Sequence, residues 1–237
     1  MRNDNPQMGR QFLVQLREVA KQLGLKESDV RPQTLKVHVK LAATANSVKF
    51  DIARKTGNHA LDNLLQENDF FVGHSLALGI LPVPVINSLE ASGNAQPIFY
   101  PDPNIFTTAG SATLASEAQA LEMVYNSTLR IETNQDIRVK DFPTNIFRDC
   151  PETQKAAALQ NSYDTVPFKD LYTGLGFAGG NVNEIELKYP SQGEYSQIAG
   201  SATRVNYAVL LIQGILVVGG AQKATAGRIY QYLNGGK

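Results

Sequence analysis

Cysteine is almost absent from the sequence, since Cys150 is the only one among 237 residues. A single cysteine cannot form an intramolecular disulfide, so the fold must depend on a packed core without a covalent link. Cys150 would act as a nucleophile only if the fold brought a histidine to it. A lone, partly buried thiol is the preferred interpretation.

Long apolar runs are also absent. The most apolar segment, residues 205–218, is interrupted by Asn206, Gln213 and Gly214. It is shorter than the ~20 residues that a membrane-spanning helix needs. Residues 1–6 lack the apolar stretch that is typical of a secretory signal. We therefore expect neither a signal peptide nor a transmembrane segment.

The sequence has no net charge, because 22 basic side chains balance 22 acidic ones. This balance excludes a chain that is strongly basic or strongly acidic throughout. The charge is nevertheless uneven: residues 1–55 carry 11 basic and 5 acidic side chains, a net +6 that residues 56–237 offset. The basic part is compatible with nucleic-acid contact, but lysines alternating along a solvated strand give the same count and are the preferred interpretation.

Histidine is scarce and tryptophan is missing. The three histidines are His38, His59 and His74, and none has the short spacing to another histidine or to cysteine that is typical of a local metal site. Tryptophan often stacks on sugars, so its absence weakens a lectin interpretation. We predict no catalytic residue, no metal ligand and no cofactor, and we interpret the chain as a protein that is not an enzyme.

The sequence is rich in alternating apolar and polar residues, which is the period of half-buried strands. The residues 129–133 and 137–140 alternate on both sides of a polar turn and predict the clearest hairpin, with Arg130 or Arg138 opposite Glu132 or Asp136. A further strand of this kind is predicted around residues 184–188.

Two alternating runs near the N terminus, residues 35–41 and 48–52, flank a short polar linker. We expect them to pair as an antiparallel hairpin. In that arrangement His38 lies on the polar face, where a solvated histidine is the expected state.

Two more apolar runs predict longer strands. Residues 70–80 contain glycines that permit bulges, and Pro82 and Pro84 are expected to stop their regular pairing. Residues 205–218 suit a central strand that is covered on both faces. Between these runs, residues 117–125 can be helical.

Gly174, Gly176 and Gly179 match the spacing of the dinucleotide-binding fingerprint, and Glu194 follows about 20 residues later. That mechanism needs a strand before the glycines and a helix after them. Here the residues that follow, 181–187, are predicted to form a strand. We therefore favour a glycine-rich β-turn or a close subunit contact over nucleotide binding.

Two segments are candidates for contact with other subunits. Residues 10–23 predict an amphipathic helix capped by Gly24, whose apolar stripe needs a partner surface on its own sheet or on a neighbour. Residues 87–116 predict a long, ordered excursion, because aromatic residues argue against disorder. The candidate interface residues on these segments are Phe12, Leu16, Val19, Leu23, Phe99, Tyr100 and Phe106.

The patterns together predict a mainly β chain organised as a β-sandwich. We divide it into an N-terminal arm and helix (residues 1–30), a β-sandwich domain (31–222) and a C-terminal tail (223–237).

Residues 99–106 (FYPDPNIF), 121–131 (LEMVYNSTLRI), 141–144 (DFPT) and 151–154 (PETQ) carry a resemblance of style to virion structural proteins of bacteriophages. The arrangement of short strands, proline-containing excursions and a late apolar strand over residues 35–220 resembles a jelly-roll coat subunit. The resemblance implies an antiparallel jelly-roll-like sandwich that self-assembles with copies of itself and with other virion proteins. It further implies a virion location after assembly in the host cytoplasm.

The preferred function is therefore that of a structural subunit of a viral capsid or virion. A carbohydrate-recognition β-sandwich is the main alternative, and an unassigned hydrolase is a remoter one. The chain lacks the strongly basic arm with which many coat proteins bind RNA, so direct binding of a genome is left open.

Overall fold

A computed structural model of the chain describes residues 24–52, 65–85, 97–100, 115–133, 136–148, 168–190, 198–202 and 204–221, together with Val14, Arg17, Glu18 and Lys21. The described residues form nine strands and one α-helix, α1 (Ala115–Glu122). The strands are β1 (Val30–Lys40), β2 (Ser47–Phe50), β3 (Phe70–Pro84), β4 (Thr128–Thr133), β5 (Asp136–Pro143), β6 (Lys169–Ala178), β7 (Asn183–Lys188), β8 (Gly200–Ser201) and β9 (Arg204–Val217). Short 3-10 helices span Glu27–Asp29, Met123–Asn126 and Thr144–Arg148.

The strands form two antiparallel sheets. Sheet A has the order β1-β9-β3-β6, with β8 pairing to the start of β9, and sheet B has the order β2-β7-β4-β5. Inward-facing side chains of both sheets share one hydrophobic core. The prediction of a mainly β, antiparallel sandwich is therefore confirmed.

Strand β9 is one of the two interior strands of sheet A. It pairs with β1 along one side and with β3 along the other. Successive side chains point to opposite faces of a strand, yet Val209, Leu210 and Ile212 are all fully buried. The prediction of a central strand covered on both faces is confirmed.

Strand β3 continues further than expected. Pro82 and Pro84 remain in register with Asn206 and Arg204 of β9, so the expectation that they stop pairing is wrong. The N–H and C=O of Ile80 both bond to Ile98, on the side away from β9. The backbone N–H positions of residues 82 and 84 lie on the same side of the strand as that of Ile80. The two prolines therefore lose no hydrogen bond to β9, although they have no N–H group.

The predicted β4–β5 hairpin is confirmed, but its ion pairs differ from the expectation. Arg130 pairs with Glu132 at 2.9 Å and Arg138 with Asp136 at 3.2 Å, each along one strand rather than across the hairpin. The cause is irregular register, because β5 has extra residues between the positions opposite Leu129 and Glu132. The residue opposite Arg130 is Glu186 of the other neighbour, β7.

The expected hairpin between residues 35–41 and 48–52 is wrong. Strand β1 pairs with β9 in sheet A, whereas β2 pairs with β7 in sheet B. Leu35 and Phe50 do face the same core, but from opposite sheets. Alternation identifies the buried face of each strand without specifying which strand lies beside it.

The helical prediction for residues 117–125 is confirmed by α1 and the 3-10 turn that follows it. Four residues of the predicted N-terminal helix are described, and Val14, Arg17, Glu18 and Lys21 each have helical backbone. Gly24 has a φ of 77° and donates its N–H to the Lys21 carbonyl, as a C-terminal cap does. The other residues of 10–23 lie outside the described ranges, and the helix as a whole stays a prediction.

The fingerprint-like glycines lie in a strand and a turn. Gly174 and Gly176 are inside β6, a strand that the sequence did not predict, so the β-turn interpretation is wrong for these two residues. Only Gly179, which begins the turn to β7, agrees with it. A Cβ on Gly179 would lie 1.7 Å from the carbonyl oxygen of Gln66. The close approach of two backbones therefore accounts for this glycine.

Two glycines face each other at the centre of sheet A. Gly73 of β3 and Gly214 of β9 are directly paired, beside a bulge at His74. A Cβ on Gly214 would lie 2.2 Å from the Val72 carbonyl oxygen and 2.6 Å from the Phe71 ring. The Phe71 and Phe177 rings, 6.5 Å apart, stack next to this space.

We predict that Gly214→Ala lowers the free energy of unfolding by about 1–3 kcal/mol, because the added methyl group overpacks the core against rigid backbone. Denaturant unfolding followed by circular dichroism measures the change. Gly180→Ala is the matched control, since its Cβ would meet its nearest atom at an ordinary 3.4 Å. Equal effects of the two substitutions would contradict the role given to Gly214.

Candidate functional site: the outer faces and the loop end of the sandwich

The outer face of sheet A is divided by a row of polar side chains. Thr34, Gln213, Ser75 and Asp170 are directly paired neighbours on β1, β9, β3 and β6. The Ser75 hydroxyl and the Gln213 side-chain oxygen lie 3.3 Å apart in a hydrogen bond. Gln213 and Asp170 are exposed, so this row reaches solvent. We call these four residues the polar row.

A first apolar patch lies on one side of the polar row. It is the outer surface at the end of the sheet where β1 and β3 begin and β9 ends. Its members are between 0% and 3% exposed, although they point away from the core between the sheets. They are Val30, Phe70, Val72, Ala178, Ile215 and Val217.

A second apolar patch lies on the other side of the row, and its members form a buried cluster of their own: Ala77, Leu81, Val83, Val209 and Leu211. Phe99, which packs on this cluster, has a ring atom 3.0 Å from where a Cβ on Gly79 would be. The sheet is thus indented at Gly79, and the Phe99 ring occupies the indentation.

His38 belongs to this covered side of the molecule. It pairs with Val209 and is only 5% exposed, so the expectation of a solvated histidine is wrong. The physical reason is that the outer face of sheet A is largely buried, whereas alternation alone suggested a solvated face.

His74 occupies the bulge of β3, near the polar row. Burial lowers the pKa of His74 below its ordinary 6.5, and the nearby Asp170 carboxylate opposes that change. The unfolded chain therefore binds a proton at this residue more readily than the folded chain does.

We predict that acidification below pH 6.5 destabilises the protein through His74. Because the pKa of the folded state is the lower one, stability from this group is complete above 6.5 and is lost as the pH falls towards the folded pKa. Thermal melting across pH 5–8 should show a shallower decline in His74→Gln. Asp170→Asn should steepen the decline, because it removes the opposing charge; identical profiles for all three proteins would reject this assignment.

Tyr100 is held in place by contacts with Tyr125 and Arg148. Its ring centroid lies 5.2 Å from that of the buried Tyr125, and the Arg148 guanidinium lies 5.4 Å from the Tyr100 ring centroid. Arg148 in turn donates to Asn126 at 2.6 Å and pairs with Glu122 at 3.3 Å. These contacts hold the Tyr100 side chain in one position. Residues 87–96 and 101–114 of the predicted excursion lie outside the described ranges.

A buried ion pair joins α1 to the start of β9. Glu117 is 3% exposed and Arg204 8% exposed, and two guanidinium nitrogens of Arg204 donate to the two carboxylate oxygens. Asn206 donates to the same carboxylate at 3.0 Å and to the Ile198 carbonyl at 3.3 Å. The carboxylate therefore accepts three hydrogen bonds, which compensate its burial.

We predict that Glu117→Ala lowers the free energy of unfolding by about 3–5 kcal/mol, because Arg204 stays buried without this carboxylate. Urea unfolding measures the loss. Glu184→Ala is the matched control: it removes an exposed pair in which Glu184 lies 2.7 Å from Lys49, and it should change stability little. An equally small effect at Glu117 would contradict the importance of the buried pair.

The outer face of sheet B is polar and carries neighbouring charges of both signs. Glu184 raises the pKa of Lys49 through a hydrogen bond and its charge. An open depression of about 320 Å³ lies at the β2–β7 edge and is lined by Asn46, Ser47, Glu186, Lys188 and Tyr189. The Ser47 hydroxyl donates to Glu186 at 2.7 Å. Burial raises the pKa of Tyr189, whose ring belongs to the core.

Of the seven candidate interface residues, the structure describes Phe99 and Tyr100, and both are half-buried against their own chain. Phe12, Leu16, Val19, Leu23 and Phe106 lie outside the described residues, as do His59 and Cys150. Within the described ranges, no group of three histidine, cysteine or acidic side chains is arranged to hold a metal ion.

Sequence reasoning missed Glu117, Arg204, Asn206 and Asp69. The Asp69 side chain accepts the N–H of Gly219 at 3.0 Å, and its carbonyl accepts the N–H of Gly179 at 2.9 Å. These residues are separated by about 90 to 150 positions from their partners, so no local spacing signals them.

Comparison with family models, curated proteins and solved structures found no match. None of the helices in the described part of the chain has the length and apolarity to cross a bilayer.

Proposed function

We propose that this chain is a structural subunit of a viral capsid or virion that folds as a jelly roll, preceded by an N-terminal helix, and acts by self-assembly. The observation that carries the proposal is the nesting of strand pairs. Strand β4 pairs with β5, β3 with β6, β2 with β7 and β1 with β9. This nesting is what a single long hairpin would produce when wound into two sheets.

The short β8 fits the same scheme, because it adjoins β9 just beyond the end of β1. Eight principal strands in two four-stranded sheets are the pattern of the jelly roll, which recurs in viral capsid and lectin domains. The pattern agrees with the coat-subunit resemblance of residues 35–220. Partners of the proposed kind are copies of this chain and other virion proteins.

The edge strand β5 favours closed assembly over fibre formation. It is bulged twice against β4, and Asp141 at one bulge has a φ of 54°. Its other exposed residues are charged, apart from Ile137 and Pro143. Bulges, charges and proline discourage edge-to-edge pairing of sheets. Contacts between copies would then involve faces and loops, as closed symmetric shells require.

The start of the excursion beyond residue 100 supports a specific contact. Ile98 is paired with Ile80, Phe99 fills the indentation at Gly79, and Tyr100 lies between Tyr125 and Arg148. Aromatic side chains that are already held by their own chain lose little conformational entropy when they bind a neighbour. Phe99 and Tyr100 are both partly accessible and serve as aromatic anchors in this proposal.

Electron microscopy of the purified chain tests the proposal, and closed symmetric particles are the expected result. A chain that stays monomeric at all concentrations, alone and with its co-purifying proteins, would contradict it.

We predict that Phe99→Ala combined with Tyr100→Ala reduces particle formation at least tenfold, as measured by light scattering, because both aromatic anchors are lost. Far-ultraviolet circular dichroism must show a folded monomer. Ile137→Ala is the matched control, since this residue is 45% exposed on β5, away from the excursion. Unchanged assembly of the double variant would exclude the assigned contact.

Carbohydrate recognition is the second candidate, and the depression at the β2–β7 edge favours it. Its hydroxyl, amide, carboxylate and ammonium groups suit a polyhydroxyl ligand. A glycan array separates the two functions: specific binding by a chain that forms no particle supports recognition, and particles without glycan binding support the capsid subunit.

A further inference from the structure

We propose that the first apolar patch on the outer face of sheet A is the binding surface for the chain's own N-terminal helix, residues 10–23, packed within the same subunit. The inference concerns an intramolecular contact and stands independently of the proposed function. It begins with the burial of the patch.

The patch needs a cover from outside the sandwich core. Along β9, side chains alternate between the two faces of the sheet. Ile215 and Val217 are therefore on the same outer face as Leu211, whereas Ile212 and Leu216 belong to the core between the sheets. Yet Val217 is 0% and Ile215 3% exposed. Gly220 lies next to Phe70 and Val217, since a Cβ on it would be 2.9 Å from each side chain, and this accounts for the cover at one corner.

The cover ends at the polar row. Gln213 is exposed, whereas Ile215, the next outward-facing residue of β9, is buried. The same boundary falls on β6, where Ala178 is buried and Asp170 is exposed. On β3 both Val72 and Ser75 are buried, and on the edge strand β1 Pro32, opposite Ile215, is exposed although Val30 is buried. The covering element therefore lies at one end of the sheet and ends at the polar row on β9 and β6.

The N-terminal helix has a matching orientation. The four described residues have spacings of 3, 1 and 3 positions, which places them on one helical stripe, and Val14, Arg17, Glu18 and Lys21 are all exposed. Phe12, Leu16, Val19 and Leu23 fall on the opposite stripe by sequence. If the exposed stripe faces solvent, the apolar stripe faces the body of the protein.

The dimensions also match. A helix of residues 10–23 is about 21 Å long at 1.5 Å per residue. The patch extends over four strands from β1 to β6, about 14 Å at 4.8 Å per strand spacing. The predicted helix ends before Gly24, which has the φ of a C-terminal cap, and β1 begins at Val30 on the edge of the patch. This short connection brings the helix directly to the patch.

The charges fit the same placement. Arg17, Glu18 and Lys21 lie on the exposed stripe, so packing the opposite stripe buries no charge from these residues. The assignment separates the seven candidate interface residues into two groups: the four of the predicted helix cover their own sheet, and Phe99, Tyr100 and Phe106 remain for contact with neighbours.

Double-mutant cycles on the full chain test the proposal. Leu16→Ala and Val19→Ala are each combined with Val72→Ala and with Ile215→Val, and unfolding is measured in urea at a low protein concentration. We expect at least one pair to show non-additivity of about fivefold or more in the unfolding equilibrium constant. Val14→Ala, at a position 53% exposed, is the matched control and should be additive with both patch substitutions.

The alternatives give different results. Additivity in all four cycles overturns the proposal, and coupling of Leu233→Ala with Val72→Ala in its place assigns the patch to residues 222–237. Coupling that disappears on dilution assigns the helix to a second copy of the chain. The variants are also examined by electron microscopy. If they show coupling and still form normal particles, the contact is supported as an intramolecular one that assembly does not need. If coupling is found but the chain forms no particles, the intramolecular contact stands and the proposed function fails.

Discussion

The fold depends on the double pairing of strand β9. Its backbone bonds join β1 on one side and β3 on the other, and its side chains enter the core on one face and the two outer apolar patches on the other. Pairing this close leaves no space for a side chain at Gly214, where an added Cβ would lie 2.2 Å from the Val72 carbonyl oxygen. The Glu117–Arg204 pair then fixes α1 to the first residue of the same strand.

Double burial of β9 has a consequence for the surface of the molecule. A sheet whose central strand is apolar on both faces must be covered on its outside as well as on its inside. Sheet A accordingly has a mostly covered outer face, interrupted by the polar row, whereas sheet B exposes charged side chains such as Lys49 and Glu184. The two sheets therefore present different chemistry: sheet A offers surfaces for packing, and sheet B faces water.

Local patterns predicted most strands and some of their details. The β4–β5 hairpin followed from alternation on both sides of a polar turn, and the bulge of β3 followed from its glycines. Tertiary contacts overrode local signals at β1 and β2, because alternation cannot tell a strand in the same sheet from one in the opposing sheet. The buried pair of Glu117 and Arg204 left no sequence signal, since its members are 87 residues apart.

By itself, the sequence determined which side chains of the alternating strands face the core between the sheets and that this core must hold without a disulfide, because both follow from side-chain chemistry and local period. Only the tertiary structure decided which strands are neighbours, that His38 is buried, and where a carboxylate meets a guanidinium. The physical reason is that these outcomes depend on contacts between distant segments, and the energy of such contacts appears only when the whole chain has closed around its core.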